Sequence, residues 1–292
     1  MNRPVLLTAP PRVVWHWLRV GSCRHPEWVT LRGGRWGGVD FPSHCALIVH
    51  PSRGPILYDT GYANRFVDRT RPFPARLYRW ITPMQLPAGQ ELATQLARHD
   101  VRMEDVTCVL ISHLHADHVA GLRDLPRARF MALRADVDAN LGRTGWGALT
   151  RGFLPGLLPD DFGPRLDFVD DCPVIDLGPL WKPFSRGYDL LGDGSLIGIP
   201  LPGHSPAQLG LVMWDQHGQP VMLVADACWS SRARRELRMP SVLARPMLHN
   251  WHHYRHTLAG LHALGSLRPD LQMLPSHCSE RWVRPIDVSG HA

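Results

Sequence analysis

Short apolar runs separated by polar loops dominate the pattern of the chain and predict a strand-rich fold. Residues 44–50 and 55–58 are apolar and β-prone, and they predict a strand pair that ends in a turn at 59–61. Residues 106–112 form a continuous, largely β-branched run, which favours a strand buried on both faces. Further strands are predicted over residues 128–133, 196–200, 208–214, 221–225 and 271–274.

Helical patterns lie between these strands. Apolar positions in 89–99 recur at helical spacing, and further helices are predicted over 134–141 and 250–264. Because strands alternate with helices in both halves, the pattern predicts an α/β arrangement of two sheets with outer helices. The 292 residues, 44% of them hydrophobic, are enough to form one domain that spans residues 1–292.

A dense group of metal-ligand side chains follows the predicted strand at 106–112. His113, His115, Asp117 and His118 lie within six residues. Two histidines at i and i+2 of an extended segment point to one side and can reach one ion. After the chain turns, the next carboxylate and imidazole can serve a second ion. Imidazole and carboxylate suit Zn²⁺, so the sequence predicts a metal site at the C-terminal end of this strand.

The sequence HLHADH at 113–118 resembles the HxHxDH signature of the metallo-β-lactamase superfamily. Other motifs similar to those of the family appear in the expected order: DTG at 59–61, PGHSP at 202–206, Asp226 after a strand, and His277 after the last strand. The resemblance covers roughly residues 43–278. It implies an αβ/βα metallo-β-lactamase sandwich, in which two mixed β-sheets are flanked by helices and the metals lie where the sheets meet.

The resemblance also implies a set of seven ligands for two Zn²⁺ ions per chain, with iron or manganese as alternatives. The first ion takes His113, His115 and His204, the second takes Asp117, His118 and His277, and Asp226 bridges them. Three protein nitrogens leave a position open for water on the first ion. Two adjacent cations would lower the pKa of a bridging water and polarise a substrate carbonyl.

Three aspartates are predicted to take part in catalysis. Asp117 would shuttle a proton to the leaving group, and Asp226 would bridge the ions. Asp59 is interpreted as orienting a ligand histidine, as capping the turn at 59–61, or as both.

The full ligand set resembles the glyoxalase II and N-acyl-homoserine lactonase branches, and the presence of Asp226 argues against a true β-lactamase. One position departs from the lactonase pattern. Where those lactonases have a tyrosine three residues after the bridging aspartate, this chain has Trp229. An indole N–H donates a hydrogen bond but has no hydroxyl proton to exchange, which argues against homoserine lactones in particular. Trp229 is assigned to the substrate pocket, with packing at the site wall as the alternative.

Two stretches lack clear periodicity. Residues 60–87 predict an irregular surface excursion, and residues 142–194, which are dense in Gly and Pro, predict an insert over the active site. Apolar side chains of this insert either line an acyl pocket or seal the insert against the core; they are Trp146, Phe153, Leu154, Leu157 and Leu158.

The chain is basic, with a net charge of +6, and two arginine clusters stand out. They comprise Arg65, Arg69, Arg71, Arg76 and Arg79, and Arg232, Arg234, Arg235 and Arg238. Each cluster is either a binding surface for an acidic partner or a solvent-exposed charged face. Because the sequence shows no nucleic-acid-binding motif, nucleic acid is not the expected partner.

Targeting signals are absent from the pattern. No apolar run of about 18 residues predicts a membrane span, and the first residues do not resemble a signal peptide. The six cysteines form no CxxC pair, which is typical of a reduced protein. We expect a cytoplasmic protein, with a homodimer as one option for its assembly.

The leading functional hypothesis is a dinuclear-zinc hydrolase that opens a lactone, ester or thioester by attack of a metal-bridging hydroxide. Its partner would be a small-molecule acyl substrate. Three alternatives remain open: a phosphodiesterase or nuclease with the same metal centre, a mononuclear-iron sulfur dioxygenase, and a metal-bearing binding protein with little turnover.

Overall fold

The computed structural model describes residues 10–280, so the first nine residues, on which part of the signal-peptide expectation rests, lie outside it. The strands are β1 (Val14–Pro26), β2 (Gly38–His50), β3 (Gly54–Tyr58), β4 (Cys108–Leu110), β5 (Arg129–Ala132), β6 (Leu166–Phe168), β7 (Val174–Asp176), β8 (Arg186–Asp189), β9 (Leu196–Pro200), β10 (Leu209–Trp214), β11 (Pro220–Ala225) and β12 (Gln272–Pro275). The α-helices are α1 (Glu27–Thr30), α2 (Arg65–Arg69), α3 (Arg76–Ile81), α4 (Leu92–Ala97), α5 (Ala116–Val119), α6 (Arg134–Asn140), α7 (Gly145–Leu149), α8 (Ser231–Arg235) and α9 (Trp251–Leu267).

The strands form two six-stranded sheets, one from each half of the chain. The first sheet has the order β1-β2-β3-β4-β5-β6, and the second has the order β12-β11-β10-β9-β8-β7. Both sheets are mixed: β3 to β6 pair in parallel, as do β11 and β12, while the remaining pairs are antiparallel. The predicted sandwich of two mixed sheets flanked by helices is confirmed.

Alternation along the strands explains the layers. In β2, Leu47 packs against the helices of the first half, whereas its neighbour Ile48 belongs to the core between the sheets. In β10, Leu211 faces the same central core, and Val212 packs with residues of α9. Because successive side chains of a strand point to opposite faces, each sheet buries both of its faces. The result is a sandwich with one central core and two outer cores.

The structure differs from the sequence-based prediction mainly at the edges of the sheets. The long strand β1 was not predicted, because its register shifts between Arg19 and Ser22 and its apolar positions do not alternate. The strand predicted over 106–112 is regular only over Cys108–Leu110, since the following residues turn toward the site. The excursion at 60–87 contains two short helices, α2 and α3.

The segment 142–194, predicted as an insert, has two parts. Its beginning, which includes α7, reaches the cavity described below. Its remainder supplies β6 to the first sheet and β7 and β8 to the second. These strands have only three or four residues each, which is too short for a periodic signal.

Candidate metal centre

The predicted ligands converge at one edge of the sandwich, where strands of both sheets end. β4 leads into the segment that carries His113 and His115, and the short helix α5 carries Asp117 and His118. From the second sheet, Asp226 follows β11 directly, His277 follows β12, and His204 follows β9. The structure therefore brings all seven predicted ligands together, and we call this group the ligand cradle.

The first group within the cradle consists of three histidines. One ring nitrogen of each of His113, His115 and His204 lies within 4.8 Å of the other two. His115 Nδ1 and His204 Nε2 are 2.9 Å apart. Such close approach of three nitrogens fits coordination of a common cation, as predicted for the first ion.

The second group consists of Asp117, His118 and His277, whose ligand atoms also lie within 4.8 Å of one another. Asp226 lies between the groups. Its Oδ2 is 3.2 Å from His204 Nε2 and 3.1 Å from His277 Nε2. Its Oδ1 is 3.4 Å from His118 Nε2. A carboxylate that reaches imidazoles of both groups has the position predicted for the bridge.

Outer hydrogen bonds fix the orientation of the ligand rings. Asp59 Oδ2 accepts from His118 Nδ1 at 2.8 Å, and its Oδ1 accepts from the Ser112 N–H at 2.8 Å. His277 Nδ1 donates to the Pro42 carbonyl at 2.7 Å. These contacts leave Nε2 of His118 and His277 facing the cradle, which is how ligand histidines are usually held.

Unusual backbone conformations position one supporting residue, Asp59, and one predicted ligand, His204. Asp59 has φ 60°, a left-handed conformation that turns the chain sharply at the end of β3. Gly203, directly before His204, has φ 136°, and a Cβ there would lie 2.2 Å from the backbone nitrogen of Tyr254. Only glycine permits this approach of the His204 loop to helix α9.

Electrostatics favour neutral imidazoles in the first group. Burial lowers the pKa of His115 to about 4 and holds the pKa values of His113 and His204 well below the ordinary 6.5. Their lone pairs are therefore free at neutral pH, as metal binding requires. Burial also disfavours the charged form of His118, but nearby carboxylates, Asp59 first, raise its pKa overall. A bound cation would take the place of that proton.

The donor set fits cations. Among residues 10–280, the ring nitrogens His113 Nε2 and His118 Nε2 and the carboxylate oxygen Asp226 Oδ1 are buried without a hydrogen-bond partner. Buried polar atoms are rarely left unsatisfied unless they bind a ligand. No lysine or arginine of the described chain forms a salt bridge with Asp117 or Asp226. Uncompensated buried carboxylates of this kind need a positive charge nearby.

A cavity of about 620 Å³ opens above the cradle. His115, Asp117, His204, Asp226 and His277 lie at its floor. Much of the remaining lining comes from three segments, 77–82, 146–152 and 246–249, which we call the cavity wall. Its volume is ordinary for a small-molecule site.

The predicted pocket residues divide into two groups. Trp229 and Trp146 line the cavity. Trp229 Nε1 also donates to Asp226 Oδ2 at 3.1 Å, so this indole both lines the cavity and holds the central carboxylate. Phe153 and Leu157, by contrast, are fully buried in the core of the first half and do not line the cavity.

The assignment of Phe153 and Leu157 to the substrate pocket is therefore corrected. They seal the segment against the core, as do Leu154 and Leu158. The physical reason is that the chain turns at Gly152, so the side chains that follow point away from the site. Apolar sequence alone does not distinguish these two directions.

Three residues near the site were not identified from the sequence. Tyr78 of α3 and Arg151, just before Gly152, line the cavity. Asp136 of α6 is fully buried, and its Oδ2 accepts the N–H of Leu114, between two ligand histidines, at 2.8 Å. Their only signal in the sequence is a polar side chain within a loop or a short helix, which is too common to single them out.

The arginine clusters lie partly in ion pairs with carboxylates of this chain. Arg65 pairs with Asp124, and Arg71 pairs with Asp68. In the second cluster, Arg232 and Arg238 share Glu236, and Arg235 pairs with Glu280. This pairing agrees with the interpretation of a solvated charged face.

Comparison with known proteins identifies the family. A sequence model of the metallo-beta-lactamase superfamily matches residues 38–247, which is most of the chain. The chain therefore belongs to the metallo-beta-lactamase superfamily. The predicted family and fold are both confirmed.

Several individual proteins similar to this chain are named as lactonases. The chain is 26% identical over 221 residues to the N-acyl homoserine lactonase AttM of Rhizobium radiobacter, covering 74% of this chain and 76% of that protein. It is similar in fold to an N-acyl homoserine lactone hydrolase with N-hexanoyl-L-homoserine bound at its catalytic metal center, with a TM-score of 0.68, 17% identity and coverage of 93% and 95% of the two chains. It is also similar to AidC, a dizinc quorum-quenching lactonase, with a TM-score of 0.61, 14% identity and coverage of 95% and 93%.

These relatives are lactonases or metal-dependent hydrolases, so the predicted enzyme class, a hydrolase of this superfamily, is confirmed. Within residues 10–280, no helix has the length and apolar character needed to cross a bilayer.

Proposed function

We propose that this protein is a dinuclear-zinc hydrolase that opens lactones or cleaves carboxylic esters of small acyl substrates. The observation that supports this most directly is the ligand cradle, which combines buried imidazole and carboxylate atoms that have no hydrogen-bond partner with ligand residues that form the floor of a cavity. The lactonase names of the relatives support the same substrate chemistry.

The cradle would supply seven side chains to two ions in the arrangement that the family resemblance implies. His113, His115 and His204 would hold the first, Asp117, His118 and His277 the second, and Asp226 both. Bound zinc ions supply Lewis acidity, which acidifies water and polarises a carbonyl.

The chain's own residues complete the reaction. Water oxygen bonds to the carbonyl carbon, the single bond from that carbon to the leaving oxygen breaks, and the leaving oxygen gains a proton. Asp117, at the cavity floor, accepts the proton that water gives up and returns it to the leaving oxygen. Trp229 holds Asp226 through its indole N–H and thereby keeps the central carboxylate in place.

A hydroxyl group for the substrate carbonyl comes from a different element than in the lactonase-like branch. Trp229 has no hydroxyl, but Tyr78 lines the same cavity on α3. Burial, and then the charge of Asp117, raises the pKa of Tyr78 well above its usual value of 10, so its phenol remains a hydrogen-bond donor at neutral pH. We assign to Tyr78 the hydrogen bond that orients the carbonyl.

The test combines metal quantification with a substrate panel. The purified protein is expected to hold about two zinc ions per chain and to hydrolyse an acyl lactone or an aryl ester, with chelation abolishing the activity. The panel also contains S-lactoylglutathione, a β-lactam and bis-p-nitrophenyl phosphate. The variant His115→Ala, which removes one ligand of the first ion, serves as the background.

Two outcomes would contradict the proposal. Turnover of the phosphodiester without turnover of any acyl compound would establish a phosphodiesterase. One iron per chain, together with oxygen consumption on a persulfide substrate, would establish a dioxygenase.

A further inference from the structure

The cavity above the ligand cradle is asymmetric in charge. Among the described residues that line it, the only carboxylates are Asp117 and Asp226, both at the floor. The only arginine or lysine is Arg151, on the wall. Away from the cradle, therefore, the lining carries one permanent positive charge and no negative charge to neutralise it.

The Arg151 side chain is half-buried and forms no salt bridge or side-chain hydrogen bond with any residue in 10–280. Other arginines of this region are different: Arg134 pairs with Asp171, and Arg165 pairs with Asp161. The positive charge of Arg151 acts on the buried carboxyl of Asp136, but no hydrogen bond or salt bridge joins the two side chains. A guanidinium has five N–H donors in a planar fork that fits a carboxylate, and Arg151 retains this capacity.

The backbone fixes Arg151 beside the first group of histidines. The next residue, Gly152, packs against the His115 ring so closely that a Cβ would lie 2.8 Å from His115 Cδ2. The Gly152 carbonyl accepts the Ala116 N–H at 3.1 Å. Arg151 therefore starts from a point that is anchored to the cradle, which limits how far its base can move.

Apolar side chains occupy the wall between and around these polar groups. They include Leu77 and Ile81 of α3, and Trp146 and Leu149 of α7. A ligand that fills the cavity would thus meet the ligand cradle at the floor, and apolar side chains and one guanidinium on the wall. This combination of surfaces matches an acyl chain that carries an anionic group in addition to its reactive carbonyl.

We propose that Arg151 forms a subsite for a carboxylate, so that the preferred substrates are esters or lactones whose acyl chain bears a second, free carboxylate group. This inference rests on the proposed hydrolase function. The residue acts in substrate selection: it binds a group that does not react, and neutral esters do not use it.

The test uses two p-nitrophenyl esters of the same shape. One carries adipate, with a free terminal carboxylate, and the other carries 6-methylheptanoate, in which an isopropyl group replaces that carboxylate. Shorter and longer dicarboxylates, from succinate to suberate, locate the best chain length. Each ester is assayed with the wild type, Arg151→Met, Arg151→Lys, and Arg143→Met as a matched control from the same segment, whose side chain contacts the Ala139 carbonyl instead of the cavity.

The wild type is expected to show a KM for the best dicarboxylate monoester about 10- to 100-fold below that of its neutral isostere, the range expected for a charge-assisted bidentate contact. Arg151→Met should remove this preference by raising the KM of the charged ester alone, with kcat retained. Arg151→Lys should keep part of the preference, because it keeps the charge without the fork. Arg143→Met should behave as the wild type does.

Equal KM values for charged and neutral esters across the series would overturn the inference, as would an equal loss for both esters in Arg151→Met. If no ester is hydrolysed, the proposed function fails, and the subsite is tested by calorimetric binding of the free acids. Tighter binding of the dicarboxylate than of its monocarboxylate isostere, lost in Arg151→Met, would support the subsite without turnover. The absence of that difference would refute it.

Discussion

The ligand cradle and the cavity wall meet at the same site but are built in opposite ways. Cradle residues such as His113 and Asp226 are at most 3% exposed and follow the ends of strands that are themselves buried. Wall residues such as Ile81 and Trp146 are 64% and 55% exposed and lie on helices of six residues or fewer. Because strand ends are held by two sheets and the wall by few contacts, chemistry should depend on the cradle and substrate choice on the wall.

Loss of the central carboxylate should have the largest effect. Asp226→Ala removes the group that reaches both sets of imidazoles, so hydrolysis should fall to background and zinc content should drop below one ion per chain. Metal analysis and steady-state rates measure both quantities. Asp215→Ala, at a turn remote from the cavity, is the control. If Asp226→Ala keeps both its activity and two zinc ions per chain, the expectation that chemistry depends on the cradle is wrong.

The buried carboxyl of Asp136 tests the support behind the cradle. Burial raises its pKa to about 7 from an ordinary 3.8, against the lowering effect of the Leu114 N–H. The neutral form is thus favoured on folding, and this contribution to stability, complete below about pH 4, is lost as the pH rises through about 7. Asp136→Asn should gain stability over the wild type between those values, by up to about 4 kcal/mol.

Urea unfolding of the metal-free protein at about pH 4 and about pH 8 measures this change. Asp138→Asn, an exposed position on the same helix, should show no comparable gain. Parallel pH dependence of the wild type and Asp136→Asn would show that folding does not shift the pKa of this carboxyl.

Tyr78 belongs to the wall by position but is assigned a role in the chemistry. Tyr78→Phe removes only the hydroxyl, so kcat should fall about 100-fold, as for loss of a single donor to a reacting carbonyl, with zinc content unchanged. Tyr62→Phe is a matched control, since this buried hydroxyl lies outside the cavity lining. Unchanged kcat in Tyr78→Phe would restrict the catalytic groups to the cradle.

The contact between Asp59 and His118 should have a smaller effect, on metal binding. Asp59→Asn retains a residue type that tolerates positive φ but loses the carboxylate, so zinc affinity should fall about 10- to 100-fold. Competition with a chelator measures this affinity. Asp100→Asn, another residue with positive φ but exposed, controls for the backbone. Wild-type affinity in Asp59→Asn would mean that the ring of His118 is held by packing alone.

A substitution in the cavity wall should have the smallest effect on activity, and only on the KM of long substrates. Trp146 packs edge-on against Phe73 at a ring distance of 5.4 Å and is over half exposed. Trp146→Ala should raise the KM of long acyl substrates by about tenfold or less and leave zinc affinity unchanged. Trp36→Ala removes an indole that is 84% exposed and does not line the cavity, and it should leave the KM unchanged. A loss of zinc in Trp146→Ala would show that wall and cradle are coupled.

The same division explains what the sequence can predict. The position of residues 113–118 after a strongly apolar strand located the first four predicted ligand residues, and the family resemblance supplied the other three, which also follow strands. Phe153 and Leu157 were misassigned because their direction depends on the turn at Gly152, which is set by contact with His115. Tyr78 and Arg151 were missed for a related reason, since tertiary packing alone brings their short segments to the cavity.

Strand β1 shows where prediction of the fold from the local sequence pattern fails. Its bulge between Arg19 and Ser22 interrupts the alternation that marks a strand, and its partner β2 restores the pairing on both sides of the bulge. That compensation is long-range and leaves no local pattern to detect.

The division of the ligands between the sheets has a mechanical consequence. Each group takes residues from the first half of the chain and one histidine from the second: His204 in one group and His277 in the other. Bound cations would therefore cross-link the two halves of the sandwich. Chelation should then increase amide hydrogen exchange at the ends of β4 and β11 together, although the two strands belong to different sheets.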